Sequence, residues 1–362
     1  MRIREFYDRI TEQMALGDLW DQFKADAQSS YRLYSEDINW EEMERLPKWR
    51  RYLRVTKALL WAMLLYLTPA RRLILVVSLI LLFLGMASPS QNRPIALGFY
   101  GGLGLLLVLA LELADRVIMK RDLQIAREIQ HWLVPESPPV VEGLGIAFAT
   151  RPANTVGGDF YDVIVRPSVE NPEKLLIAVA DVAGKSVPAA LLMATFQASL
   201  HAILTWNPTL EELAKALNSG ACERSNDGRR FTTAFLCEID LDSKQMRYIN
   251  AGHNYPILCR SQGSLERLDQ GGLPFGILRK TEYEVGQVQL REEDLLLIFT
   301  DGVVEAVNAS DEEFGDDRLV SMVQSQTSDS AEEILGSMRD QVNQFVGATR
   351  QHDDMTWMVI KT

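Results

Sequence analysis

The chain has 362 residues, enough for one large domain with an accessory region or for two domains. Residues 1–134 carry 18 Lys and Arg against 15 Asp and Glu, leaving 19 against 34 in the remainder and an overall net charge of −12. An acidic C-terminal portion argues against a nucleic-acid partner, because phosphate backbones reward clustered cations. Cys222, Cys237 and Cys259 form no CxxC and have no nearby His, which argues against a zinc site or a disulfide framework.

In chain order, residues 1–57 read as a cytoplasmic region of short helices, with Trp20, Phe23 and Trp40 among mixed charges and no catalytic motif. Residues 58–70 are uncharged but short for a span, and suit an interfacial helix. Between Arg72 and Arg93 lie 20 residues without a formal charge, and between Arg93 and Glu112 lie 18 more. Each is near the roughly 20 residues that cross a bilayer core as a helix. Neither carries the polar stripe of a globular core helix. Residues 58–113 are therefore predicted to hold two transmembrane helices, at about 73–91 and 95–113, joined by the polar turn 88–93. The pair starts far from the N-terminus and lacks a cleavage pattern, unlike a signal peptide. Lys48, Arg50, Arg51, Arg54, Lys57, Arg71 and Arg72 precede the first span, and Arg116, Lys120 and Arg121 follow the second. Only Arg93 lies in the turn, so both ends are expected in the cytoplasm.

Residues 114–140 read as a linker: the helical pattern runs on from Glu112 to Leu133 and stops at Pro135 and Pro138-Pro139. Leu111, Ile118, Ile125 and Trp132 fall seven apart, while Asp115 and Asp122 interrupt the seam. A coil pairing two copies of the chain and a helix packed on its own domain are equal readings.

Residues 141–362 alternate short apolar runs with turns. Strands are predicted at 146–151, 162–165, 175–180, 232–240, 245–250, 256–260, 294–300 and 355–361, and helices at 188–204, 210–224 and 330–346. Hairpin-like turns such as 240–244 favour antiparallel pairing, so the fold class is α+β with packed sheets and helices outside.

Aspartates close or open these runs beside a glycine or a second aspartate: Asp159 after Gly157-Gly158, Asp181, Asp301 before Gly302, and Asp353-Asp354. Singly, each is an ordinary turn former. Together they resemble carboxylates delivered to the rim of a sheet, and oxygen donors without His or Cys suit hard cations such as Mg²⁺, Mn²⁺ or Ca²⁺. Two such ions lower the pKa of a shared water and make a nucleophile for phosphorus. Rival motifs fail by inspection. The segment 179–186 mimics a phosphate-binding loop, but Val179 replaces its first glycine and Asp181 would point into the phosphate nest. Asp240-Leu241-Asp242 reads as a hairpin turn. A nucleotide-cyclase reading of Gly157-Gly158-Asp159-Phe160 leaves Asp301 and Asp353 unexplained. No cysteine has an arginine six positions later, as a cysteine phosphatase would need. His253 reads as a loop brace rather than a general acid, and Glu305 as a helix-start or loop residue.

The ordered motifs Arg151-Pro152, Gly157-Gly158-Asp159-Phe160-Tyr161-Asp162, Ala180-Asp181-Val182-Ala183-Gly184-Lys185 with Pro188-Ala189-Ala190, Ala251-Gly252-His253-Asn254, Thr300-Asp301-Gly302-Val303-Val304-Glu305-Ala306 and Asp353-Asp354-Met355-Thr356 resemble those of SpoIIE-like (RsbU-type) bacterial serine/threonine phosphatases. This is a branch of the metal-dependent, protein phosphatase 2C-like superfamily. The lead-in 126–135 resembles the helix entering that domain, so the resemblance covers about residues 123–362. It implies an α-β-β-α sandwich over 141–362, two antiparallel sheets flanked by helices, with two Mn²⁺ or Mg²⁺ ions at one end. By similarity Asp181 bridges both ions with the Val182 carbonyl as a further ligand, Asp301 and Asp353 complete one site, and Asp159 serves the other. Asp159, Asp181, Asp301 and Asp353 are the implied catalytic set; either Asp353 or Asp354 faces the metal, and Asp162 stays outside. Phe160 stands where the family often has tryptophan and Val304 where it often has threonine, without loss of a ligand. The implied reaction is hydrolysis of phosphoserine or phosphothreonine on a regulatory protein, such as an anti-anti-sigma factor, by metal-activated hydroxide without a phosphoenzyme. The implied setting is the bacterial inner membrane, multi-pass, with the catalytic domain cytoplasmic. The alternative is a non-catalytic signalling adaptor on the same fold.

Overall fold

The computed structural model describes residues 57, 61, 64–87, 93–166, 173–225, 230–326 and 330–362. The helices expected in 1–56, much of the interfacial segment and the turn at 88–92 lie outside these residues. The chain divides into two units, Met1–Ile118 and Met119–Thr362.

In the first unit, helix α1 (Pro69–Ala87) opens on a proline, whose missing N–H costs nothing at a first helical position. Helix α2 (Arg93–Trp132) continues without a break beyond the unit's end, so the expected second span and linker helix form one element. Close approach of α1 and α2 rests on small residues. The Ser78 side chain fills the space where a Gly104 side chain would stand, and a Cβ on Gly101 would lie 2.7 Å from the Ser78 carbonyl. Arg71 Nη1 binds Glu112 Oε1 at 2.7 Å and Asp115 Oδ2 at 2.6 Å, fastening the charged end of the pair. Leu73, Phe83, Phe99 and Leu106 are all exposed, an apolar surface far larger than water-facing proteins carry.

The second unit is built from two sheets. One has the order β1 (Gly145–Arg151), β11 (Met355–Lys361), β10 (Leu295–Phe299), β6 (Ile257–Cys259), β7 (Leu265–Arg267). The other runs β2 (Phe160–Arg166), β3 (Lys174–Val182), β4 (Thr232–Asp240), β5 (Gln245–Ala251), β8 (Gly271–Gly272), with β9 (Gly286–Gln289) also on β5. All pairs are antiparallel except β5 with β8. The period-2 geometry of a strand divides the core into layers. On β3, Leu175, Ile177 and Val179 point between the sheets and meet Ile298, Met358 and Ile360. Leu176, Ala178 and Ala180 point outward onto helices α3 (Ser186–Leu204) and α4 (Leu210–Arg224), against Met193, Phe196, Leu200 and Leu213. The outer face of the first sheet, with Leu297, Trp357 and Val359, is covered by α6 (Gly315–Gln324) and α7 (Ala331–Val346); the one-turn helix α5 (Asp301–Val304) follows β10. Fully burying each such side chain stabilises by about 1.5–3 kcal/mol. Residues 141–362 therefore form the expected α-β-β-α sandwich.

Among the described residues, three helices are long and apolar enough to cross a membrane: 69–86, 96–132 and 186–204. The third is α3, whose buried Ala189, Met193, Phe196 and Leu200 pack on the second sheet, so its apolarity serves the core.

Most expected elements occur within two residues of their predicted ends. The sequence reading missed β7, β8, β9, α5 and α6. Asp162 is the third residue of β2, not its start.

Candidate active site

Antiparallel pairing brings the aspartates together. Phe160 opens β2 opposite Ala180 near the end of β3, so Asp159 and Asp181 share one rim of the second sheet. Phe299 ends β10 opposite Trp357 near the start of β11, so Asp301 and the pair Asp353-Asp354 share a rim of the first. Hydrogen bonds join the two rims. Asp159 Oδ2 accepts from the hydroxyls of Thr300 at 2.8 Å and Thr356 at 2.6 Å, and Asp354 Oδ2 accepts from the Gly158 N–H at 2.6 Å. Asp354 Oδ1 also takes the Ala153 N–H at 2.7 Å.

Glycine is required where these segments meet. A Cβ on Gly157 would lie 2.5 Å from Asp354 Oδ2, one on Gly158 3.1 Å from the Val182 carbonyl, and one on Gly302 would overlap the Asp354 carbonyl. The Val182 carbonyl thus faces the Gly158 turn beside Asp181 Oδ1, which is 3.6 Å from the same point.

The charges are crowded. Burial first, and then Asp301, Asp353 and Asp354, push the Asp181 carboxyl up to about 7. Burial and then the Asp181 charge hold Asp159 well above the usual carboxylate range, against the lowering effect of its two threonine hydroxyls. Asp301 is raised by burial and Asp353, and Glu305 by burial and Asp301. Like charges so arranged disfavour one another's ionised forms. Among the described residues, no three carboxylate, imidazole or thiolate groups already surround one point as metal ligands. Asp353 is turned to Lys185, and Asp354 and Asp159 to backbone and hydroxyl donors. The donors are nonetheless hard oxygens with an excess of negative charge, which is the chemistry a divalent cation satisfies.

The structure brings Asp159, Asp181, Asp301, Asp353, Asp354 and the Val182 carbonyl to this region and leaves Asp162 out. Asp162 Oδ2 pairs with His201 Nε2 at 2.7 Å and its Oδ1 accepts the Val163 N–H. His253 is buried with Nδ1 3.2 Å from the Thr233 hydroxyl, which in turn lies 3.4 Å from the Asp181 carbonyl, a bracing position. Glu305 caps the end of α5, its N–H donating to the Asp301 carbonyl. Sequence reasoning quoted Thr300 and Thr356 within the motifs but gave neither a role; their signal was their place one residue before Asp301 and two after Asp354. It also assigned no role to Gln130. From the C-terminal turns of α2, that side chain donates to the Gly157 carbonyl at 2.7 Å and accepts the Gly157 N–H at 3.1 Å. A cavity of about 450 Å³ opens beside this contact, lined in part by Gln130, Tyr161, Arg339, Asp159 and Asp354.

The comparisons agree with this geometry. Residues 171–362 match the family described as Stage II sporulation protein E (SpoIIE). Phosphoserine phosphatase RsbU of Bacillus subtilis is 28% identical over 245 residues, spanning 67% of this chain and 70% of RsbU. Phosphoserine phosphatase RsbP of the same organism is 27% identical over 226 residues, 61% of this chain and 54% of RsbP. Among solved structures, the SiaA-PP2C domain of Pseudomonas aeruginosa superposes with a TM-score of 0.59 at 20% identity, covering 69% of this chain and 99% of that domain. The phosphatase domain of SpoIIE from Bacillus subtilis, solved with a fragment of its regulatory domain, gives 0.54 at 22%, covering 62% and 64%. With more than half of its length matched, the chain belongs to the Stage II sporulation protein E (SpoIIE) family, and its fold is like that of these phosphatase domains.

Proposed function

We propose that the chain is a membrane-anchored serine/threonine protein phosphatase that removes phosphate from a phosphorylated regulatory protein. The observation that carries this is the convergence of Asp159, Asp181, Asp301, Asp353 and Asp354 from both sheets on one buried, charge-crowded rim. The names of RsbU and RsbP as phosphoserine phosphatases support the substrate class. An anti-anti-sigma factor is the kind of substrate intended.

Asp181, flanked by carboxylates from the other sheet, would hold two Mn²⁺ or Mg²⁺ ions together with Asp159, Asp301, Asp353 and the Val182 carbonyl. Bound ions supply Lewis acidity that activates water toward phosphorus. The protein's own part is to hold oxygens in fixed directions. The threonine hydroxyls keep one Asp159 oxygen turned into the sandwich, and the backbone N–H groups of Ala153 and Gly158 hold Asp354. Asp354 gives both oxygens to backbone N–H groups of the facing segment, whereas Asp353 holds only its neighbour's N–H and the exposed Lys185, so Asp354 is read as the orienting member of the pair and Asp353 as the direct ligand.

The exposed apolar faces of α1 and α2 support a hairpin that crosses the bacterial inner membrane twice, with the catalytic unit cytoplasmic. Ile118, Ile125 and Trp132 are exposed on α2, which supports a coil between two copies of the chain.

The test is turnover of a phosphoserine peptide by detergent-solubilised protein with Mn²⁺. We expect Asp181→Asn to abolish it while the fold is kept; full activity in the variant would sink the mechanism. A wild-type protein that is inert with every divalent ion tried, yet binds phosphorylated partners, would establish the adaptor reading instead.

A further inference from the structure

The loop between β3 and α3 holds a cation that the ligand assignment does not use. Lys185 Nζ lies 3.0 Å from Asp353 Oδ2 and donates to the His352 carbonyl at 2.7 Å. Among the described residues it makes the one ion pair that reaches any of the five clustered aspartates. Its backbone is extended, between Gly184 at φ +125° and Ser186 at φ +60°, immediately before the first turn of α3. Its side chain is 57% exposed, so the ammonium stands at the mouth of the site rather than in its floor.

Resting on the phosphatase reading, we propose that Lys185 is the substrate-binding residue for the phosphoryl group, exchanging its contact with Asp353 for one with the phosphate oxygens. Charge balance points this way. Five ionised aspartates around two divalent ions leave one negative charge, which repels an incoming phosphate dianion; the Lys185 ammonium cancels it. The pair it must leave is weak, since half-exposed ion pairs contribute about 0–1 kcal/mol. A charge-assisted hydrogen bond to a phosphate oxygen is stronger than a neutral one, and the four-carbon stem lets the ammonium follow the phosphate without moving the backbone. Two arginines are the alternatives: Arg350 contacts Asn154, and Arg339 lines the cavity beside Asp159 and Asp354, but among the described residues neither makes an ion pair with the cluster.

The experiment compares wild type, Lys185→Gln and Lys185→Arg as full chains in detergent with Mn²⁺. The expected result is a KM for phosphoserine peptide raised about tenfold or more in Lys185→Gln, the equivalent of about 1.4 kcal/mol, with kcat changed much less and KM partly restored in Lys185→Arg. Inhibition by inorganic phosphate, and its calorimetric affinity for the Mn²⁺-loaded protein, should weaken in parallel. A residue that only balances charge at Asp353 would shift the Mn²⁺ response and leave KM and phosphate affinity alone; that outcome overturns the proposal. Thermal melts confirm that the exposed position tolerates the change. If wild type turns over no phosphopeptide, the phosphatase reading fails by itself. Inorganic phosphate calorimetry then still judges Lys185, and equal affinities in wild type and Lys185→Gln refute it.

Discussion

Two buried threonines hold Asp159, and they are not equivalent. Thr356 gives its hydroxyl to Asp159 Oδ2 and keeps a second contact with the Thr150 hydroxyl, on an exposed residue that water can satisfy. Thr300 gives its hydroxyl to the same oxygen, but its own oxygen also accepts the Thr356 backbone N–H at 2.9 Å, in a place no water reaches. Valine preserves shape and strand preference at both positions. Thr356→Val should therefore remove one hydrogen bond to a charged acceptor, a loss of roughly 1.5–3 kcal/mol. Thr300→Val should remove the same bond and also strand a buried N–H, adding roughly 1–3 kcal/mol. For a unit of this size each kcal/mol moves Tm by about 2–4 °C, so the two variants should melt in a clear order, Thr300→Val lower. The assay is thermal unfolding of the solubilised protein, with a Mn²⁺ titration of activity alongside. Both variants should need more Mn²⁺, because Asp159 is then less firmly held as a carboxylate. If Thr300→Val is no less stable than Thr356→Val, or neither differs from wild type, the view of Asp159 as a carboxylate clamped by two hydroxyls is wrong.

Two shorter predictions concern its neighbours. Gln130→Ala should cost about 1–2 kcal/mol and raise the Mn²⁺ requirement, because the amide's two bonds position Gly157, against which Asp354 packs; unchanged melting and Mn²⁺ response would show the contact to be incidental. Burial pushes the His253 imidazole down from 6.5 to about 4, so it stays neutral when folded and gains a proton on unfolding. Stability from this source is complete above pH 6.5 and is lost as pH falls toward 4, by about 3 kcal/mol. His253→Gln should flatten that part of the urea-unfolding pH profile, and an unaltered slope would reject it.

The strands were legible because their apolar residues are continuous or alternate over five to nine positions, as in 174–182 and 355–361. The segments missed lack that signal. Strands β7 and β9 read Leu-Glu-Arg and Gly-Gln-Val-Gln, and are strands because β6 and β5 supply partners, which no local pattern announces. Helix α6 buries Leu319, Met322 and Val323, with Val320 partly buried beside them, and its first turn, Gly315-Asp316-Asp317, looks like loop. The carboxylates were legible as strand-end residues beside glycine. The threonines were not, since Thr300 and Thr356 suit any strand and differ from ordinary β-formers only through what lies across the sandwich. Lys185 was visible as part of a failed phosphate-loop pattern and of the motif that follows Asp181, without a role; its meeting with Asp353 joins residues 168 positions apart, a contact that no spacing rule contains.

The site's two halves belong to different sheets, and this couples chemistry to folding more tightly than a site on one loop would. Asp159 and Asp181 come with β2 and β3, Asp301 and Asp353 with β10 and β11, and the repulsion that raises Asp181 acts across the layers. Packing between the sheets, through Val179, Ile298 and Met358, must overcome that repulsion before any cation arrives. The polar bonds across the rims, Thr300 to Asp159 and Gly158 to Asp354, fix the residual freedom of approach. Glycine at 157 and 302 permits an approach that a single methyl would block, and at 158 one that a methyl would crowd. A divalent ion would then add attraction where the protein has left net repulsion, so its binding should stabilise the sandwich as well as activate it. The Gly157 turn is held by Gln130 from the end of α2 and so ties this rim to that helix. A displacement of that helix would therefore be felt first at Asp354 and Asp159, before it reached the strands that carry Asp181 and Asp301.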